Sequence, residues 1–305
     1  MSHGADSLKS IFFALGANIV VSIAKFTAAF ITGSGSMLAE AIHSVADSGN
    51  QILLLVGMKQ AKKPPNHDYP LGYGKAIYFW SFIVALMLFS MGGMFSIYEG
   101  IHKLHSTDAL NMPVVAITVL IVSIFAEATA LWGTLREIKK ELNGRNIFRW
   151  FKDSRKSELI ILVGEDSAAI LGLLFALLAI TLTVITGNPV YDALGSIMIG
   201  VLLVIVAWFV GKEIMSLLIG EGVEPQEEIK MTDFINTLPN IDKVLNIVTL
   251  QLGNDVMLAV KAKMKPANSG VELVKMINES EIKIKKEFPA ILWLFFEPDI
   301  TDDNE

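Results

Sequence analysis

The stretch Ser36–Gln51, SMLAEAIHSVADSGNQ, lies in a segment long and apolar enough to cross a bilayer, yet it carries Glu40, His43, Asp47 and Asn50. Those four sit at i, i+3, i+7 and i+10, so a helix gathers them into one polar stripe. An ionisable group at membrane depth costs at least ~2.5 kcal/mol on insertion scales, which makes several on one face improbable by accident. His43 and Asp47 are also one turn apart, so an imidazole and a carboxylate can address a single ion. The bland alternative is a buried polar seam that holds helices together.

Working outward, the 305 residues are 52% hydrophobic with mean hydropathy +0.52, the composition of an integral membrane protein. A formal net charge of −6 argues against nucleic acid as a partner. There are no cysteines, which excludes disulfides and thiolate metal sites and leaves carboxylates, imidazoles and amides as ligands. The N-terminus, MSHGADSLKS, lacks the pattern of a cleavable signal, so the first apolar run is expected to stay in the mature chain.

Six apolar stretches, at about 8–32, 36–59, 76–102, 112–135, 158–186 and 191–219, reach the ~20 residues that a helical span needs. The loop after the second carries Lys59, Lys62, Lys63 and Lys75, and the loop after the fourth carries eight Lys and Arg residues between Arg136 and Lys156. The other three loops hold only Lys103. By the positive-inside rule both termini face the cytoplasm.

The first span carries Asn18, Ser22 and Lys25 on one face, and Lys25 is expected to snorkel to the outer interface. Tyr78, Phe79 and Trp80 open the third span and suit an interfacial belt. In the loop HDYPLGYGK, His67 and Asp68 suit either a metal at the cytoplasmic mouth or a turn held by local bonds. His102 and His105 lie at the outer rim, where solvation is the ordinary state. The fourth span holds Glu127, ~12 Å from its inner end. In the fifth, VGEDSAAILG brings Glu165 to ~11 Å above the inner end, against ~16 Å for Asp47 in the second, so the two acids share a level. Sequence neighbours on a helix diverge by about 100°, so Glu165 and Asp166 cannot both aim straight at one site, and Glu165 is expected to face the second span. The sixth span is apolar with small residues (Gly195, Ser196, Gly200) suited to close packing.

After Gly220 the composition becomes that of a soluble domain. A helix over 227–238, strands over 244–252 and 256–264 joined at a Gly-Asn-Asp turn, a helix over 269–288 and a strand over 290–296 give an α-β-β-α-β order. The expected organisation is a transmembrane transport domain over 1–222 and a cytoplasmic α+β domain over 223–305. The second contains no histidine.

Imidazole and carboxylate together suit Zn²⁺, and a richer share of carboxylate admits Mn²⁺ or Fe²⁺. Each ligand must lose its proton to bind metal, so metal entry releases protons. His43, with an ordinary pKa of ~6.5, is the natural group to exchange one for the other near neutral pH. A pocket that reloads with protons on the far side couples metal export to proton import.

SGSMLAEAIHSVADSGNQ, HDYPLGYGK, TGNPVYDALGSIMIG and the terminal α+β domain together resemble the cation diffusion facilitators, over about 10–299. The resemblance implies six helices in a homodimer within the lipid bilayer, ferredoxin-like cytoplasmic domains, and exchange of Zn²⁺ or a similar divalent ion for protons. No permanent cofactor is implied. His43 and Asp47 fall on the family's second-span metal positions. Its fifth-span pattern is His-x3-Asp, and here Glu165 stands at the His position and Ala169 at the Asp position. Slack of one or two residues brings in Asp166. Glu-Asp-x-Ala and the ending WLFFEPD are similar to the branch containing animal mitochondrial zinc exporters. The implied ligands are His43, Asp47 and Glu165, with Asp166 the alternative in the fifth span.

The expected function is therefore proton-coupled export of a divalent cation, zinc first, by a multi-pass protein of a bacterial inner membrane. An exporter of Mn²⁺, Fe²⁺ or Co²⁺ with the same fold is the alternative. An intramembrane enzyme lacks any Ser-His or Gly-x-Gly-Asp arrangement, and a non-transporting metal sensor rests only on the missing fifth-span aspartate.

Overall fold

The structure is a computed structural model that describes residues 3–105, 110–142 and 144–301, with side chains from 16 onward except that of 17. In chain order its helices are α1 (His3–Thr32), α2 (Gly35–Ala61), α3 (Ala76–Met87), α4 (Phe95–Lys103), α5 (Pro113–Glu141), α6 (Ile147–Asp153), α7 (Ser157–Thr186) and α8 (Val190–Ile219). A π-helical turn, Leu88–Met94, joins α3 and α4 into one rod. Among the described residues four helices are long and apolar enough to cross a membrane: Ala76–Lys103, Pro113–Glu141, Ser157–Thr186 and Val190–Ile219. α2, with 27 residues, is about 40 Å long but carries the charged stripe, and the described apolar part of α1 runs Asn18–Thr32. The basic connection after α5 is not one loop, because α5 runs on to Glu141 and α6 follows within six residues.

The chain divides into two compact units. The first takes in 1–56, 80–147 and 157–214, and the second 57–79, 148–156 and 215–305.

In the first unit, small residues let helices approach closely. A Cβ on Gly200 of α8 would lie 2.7 Å from the Gly93 carbonyl, and one on Gly93 would lie 2.7 Å from Val204 Cγ2. The Ser196 hydroxyl donates to the Ser96 carbonyl at 2.9 Å across the same seam. Without a hydrophobic drive between helices in lipid, such backbone proximity and hydrogen bonding supply the association.

The corner between α1 and α2 is built from charge. Gly33 takes φ +69°, the left-handed conformation that ends a helix. The Lys103 ammonium donates to its carbonyl, where α1 presents unpaired acceptors. Asp192, buried in the first turn of α8, accepts from the Ser34 hydroxyl (2.6 Å), the Gly35 N–H (2.6 Å) and the Ser36 N–H (3.3 Å). One carboxylate thus satisfies two of the orphan N–H donors at the start of α2.

Lys25 departs from the snorkelling expected of it. It is fully buried, with its ammonium 3.2 Å from Glu40 and 2.7 Å from the Ser44 hydroxyl. An opposite charge within reach on α2 is a better partner than a distant interface. Tyr78 is likewise buried rather than interfacial: its hydroxyl accepts from the Gly253 N–H at 3.2 Å.

The second unit contains α9 (Pro225–Asn236), β1 (Ile241–Leu252), β2 (Asp255–Met264), α10 (Gly270–Glu287) and β3 (Ile291–Pro298), the α-β-β-α-β order expected. The strands form a mixed sheet in the order β1-β2-β3, with β1–β2 antiparallel and β2–β3 parallel. Gly253, at φ +69°, opens the two-residue turn between Leu252 and Asp255. Val256, Leu258, Val260 and Ala262 are buried at every second position of β2, and they pack with Met231 and Ile235 of α9 and Ile284 of α10. Ser269 caps α10, its hydroxyl accepting from the Glu272 N–H at 3.2 Å.

Candidate functional site

The polar stripe of α2 is buried as a stripe. Glu40, His43 and Asn50 have no exposed surface and Asp47 keeps 16%. Burial of such groups is costly unless they are paired. Yet Glu40 Oε1, both ring nitrogens of His43, Asp47 Oδ1 and Asn50 Oδ1 have no hydrogen-bond partner among the described residues. His43 Nδ1 lies 3.5 Å from Asp47 Oδ1. Two ligands ~2.0–2.1 Å from one tetrahedral ion stand about 3.4 Å apart, so this pair already has the spacing of two zinc ligands. The π-helical turn lies alongside: a Cβ on Gly92 would be 3.8 Å from His43 Nδ1. Single π turns inside α-helices recur at functional sites.

Beside the stripe is a cavity of about 40 Å³, room for an ion with a few waters. Asp47 borders it from α2, Glu127 from α5, and both Glu165 and Asp166 from α7. Asn18, Ser44 and Gln51 complete its polar wall. The acids that depth counting set on one level thus meet at one cavity. The twist between Glu165 and Asp166 does not keep either away from it, but sends them to different walls. Glu165, 5% exposed, accepts a hydrogen bond from Asn50 of α2. Asp166 accepts one from Thr134 of α5 at 2.7 Å.

Of the sequence-derived candidates, Asp47, Glu165 and Asp166 line the cavity, whereas His43 reaches it only through Asp47. Among the described residues no three carboxylates or imidazoles converge tightly enough to hold a metal as placed. Ala169 also lines the cavity, so a carboxylate at that position would face the same space. Glu127 enters it from another helix. His67 and Asp68 are exposed on their loop, 3.8 Å apart. His102 and His105 are exposed too, His102 stacking against Tyr98.

Periodicity along one helix did not reveal the links between helices: Asn50 to Glu165, Thr134 to Asp166, Lys25 to Glu40, and Asp192 to the start of α2. A signal existed for Lys25 and Glu40, since two opposite charges at membrane depth need each other.

A family model for the cation efflux transmembrane domain matches residues 11–219, well over half of the chain. The chain belongs to the cation diffusion facilitator family. Its members are transporters and not enzymes. Similar proteins include the mitochondrial proton-coupled zinc antiporter SLC30A9 of Mus musculus, 32% identical over 231 residues that make up 75% of this chain and 41% of that protein. Metal tolerance protein C4 of Arabidopsis thaliana is 30% identical over 250 residues, 81% of this chain and 54% of its own length. The zinc transporter ZitB of Pectobacterium atrosepticum is 24% identical over 265 residues, 86% of this chain and 77% of its own. The facilitator described here therefore spans less than half of the SLC30A9 sequence and about half of the plant protein.

Proposed function

We propose that this facilitator exports a divalent transition-metal ion, zinc first, in exchange for protons. The observation that carries the reading is the α2 stripe, five of whose buried polar atoms lack hydrogen-bond partners among the described residues, beside a cavity walled by Asp47, Glu127, Glu165 and Asp166. His43 and Asp47 supply the spacing of two ligands on one ion, and Glu165 or Asp166 adds a carboxylate from α7. Ligand protons must leave when metal binds, so alternate exposure of the cavity exchanges metal for protons. The names of the SLC30A9 and ZitB relatives support zinc, and the former supports proton coupling.

The preponderance of carboxylate over imidazole around the cavity favours one second reading, an exporter of Mn²⁺, Fe²⁺ or Co²⁺. The topology proposed is six spans, with α1 and α2 added to the four strongly apolar helices and both termini in the cytoplasm. Lys and Arg concentrated after α2 and α5 support it. We assign transport to 1–222 and dimerisation to 223–305. The sheet face turned away from α9 and α10 bears Val248, Met257, Ala259, Trp293 and Phe295 in register, which suits a second copy. The membrane proposed is a bacterial inner membrane; one relative, ZitB, is from Pectobacterium atrosepticum.

Purified protein in liposomes, with a pH-sensitive dye inside and Zn²⁺, Mn²⁺, Fe²⁺, Co²⁺ and Cd²⁺ added in turn, tests the reading. Metal uptake with an opposed proton signal is expected, strongest for Zn²⁺. Metal flux without any proton signal would refute the antiport, and no flux for any ion would refute the carrier.

A further inference from the structure

Lys25 lies outside the ligand set and is not explained by transport chemistry. Its ammonium has no exposed surface, pairs with Glu40 Oε2 at 3.2 Å, and donates to Ser44 Oγ at 2.7 Å. Ser44 is part of the wall of the carboxylate cavity, so a fixed positive charge stands directly behind that wall. It stands on the side toward the N-terminus of α2, because Glu40 and Ser44 precede Asp47 by two turns and one. Among the described residues the other oxygen of Glu40 has no hydrogen-bond partner, and it faces Gly172 of α7.

A pair that served only to tie α1 to α2 would be an expensive choice. Buried ion pairs are often replaceable by apolar side chains at no cost in stability, whereas ionisable groups inside a membrane by default mark a pathway. A cation leaving the cavity toward the N-terminal end of α2 meets the ammonium first. It is repelled until Lys25 lets go of Ser44. Beyond it waits Glu40, a carboxylate with one oxygen uncommitted.

We propose that Lys25, held by Glu40, is a tethered-cation gate that closes the ion cavity on the side of the α2 N-terminus, so that metal passes only when the lysine releases Ser44. The inference rests on the carrier reading above and names the part that prevents leak. With both termini cytoplasmic, the closed side is the outer one.

The test uses full-length protein in liposomes and reads metal uptake together with the internal pH dye. Lys25→Met combined with Glu40→Gln removes both charges without stranding either. It should fold and admit Zn²⁺ with no matching proton signal, raising uncoupled uptake about tenfold, the factor that ~1.4 kcal/mol off a barrier gives. Lys25→Arg keeps the charge and should stay tight, although its greater bulk would disturb a contact that mattered only for packing. Should the double variant be unable to fold, Ser44→Ala cuts only the ammonium's hold on the wall and should leak to a lesser degree. Wild-type coupling in the folded double variant, or in Ser44→Ala where only that variant folds, overturns the gate, and so does a folded variant that moves no metal at all. If the wild-type protein itself moves no metal, the carrier reading fails first and the gate with it.

Discussion

Asp47 joins the two halves of the candidate site, since it borders the cavity and also lies 3.5 Å from His43. Asp47→Ala removes a carboxylate from a partly open position and leaves little void, so the protein should fold while metal transport falls to background. Wild-type flux in that variant would take Asp47 out of the site. Glu165 and Asp166 differ in their surroundings: Glu165 is nearly buried and tied to α2, whereas Asp166 is turned toward Thr134 of α5. Glu165→Gln keeps the shape and loses the charge, and should cut transport severely, by about tenfold or more. Asp166→Asn should do less. The reverse order in the liposome assay would make Asp166 the α7 ligand. If neither substitution matters, Glu127 becomes the partner of Asp47, because it is the other acid on the cavity wall.

At the scale of elements, the start of α2 depends on a residue 157 positions away in sequence. Asp192 answers two backbone N–H groups and the Ser34 hydroxyl in a buried corner. Asp192→Ala leaves the Gly35 and Ser36 N–H groups unpaired, at a cost of about 1–3 kcal/mol for the groups stranded plus about 1 kcal/mol for the lost cap. A clear drop in melting temperature in detergent is expected, and an unchanged melt would show that other groups satisfy the corner. In the second unit, β2 and the end of β3 are joined by Lys261 and Asp299, 2.9 Å apart. The Lys261 hydrogen bond, then the N–H groups of Ile300 and Thr301, hold the Asp299 carboxyl below its ordinary range. A depressed folded value stabilises the protein above the ordinary carboxylate pKa, near ~4, and that contribution is lost as pH falls through the folded value. Asp299→Asn should therefore flatten the acid limb of the melting profile and leave the profile near neutral pH almost unchanged. Equal acid sensitivity in the two proteins would count against the pair.

At the scale of the molecule, the two units have different sources of stability. The first has buried polar groups and glycine seams, and the second a conventional apolar core of alternating strand residues under two helices. The segment 223–305 has neither histidine nor cysteine, and carboxylates and carbonyls hold structural zinc poorly. As an isolated fragment it should fold and self-associate without metal. Submicromolar zinc binding by that fragment in calorimetry, or a strictly monomeric fragment, would contradict the assignment.

Several features are set by local order along the chain and were legible in it. Helix and strand positions follow from apolar runs and alternation, and the α2 stripe follows from spacing on one helix. The acids at the cavity could be matched in depth because rise per residue is fixed. Tertiary structure alone decided the partners. Whether Lys25 reaches outward to an interface or inward to Glu40 depends on how α1 is rotated against α2, and no periodicity within α1 reports that rotation. The same holds for Asp192, whose role appears only when α8 is packed beside the α1–α2 corner. Glu127 and Asp166 likewise join Asp47 only because α5 and α7 close around it. Depth is a property of one helix, but facing is a property of a pair.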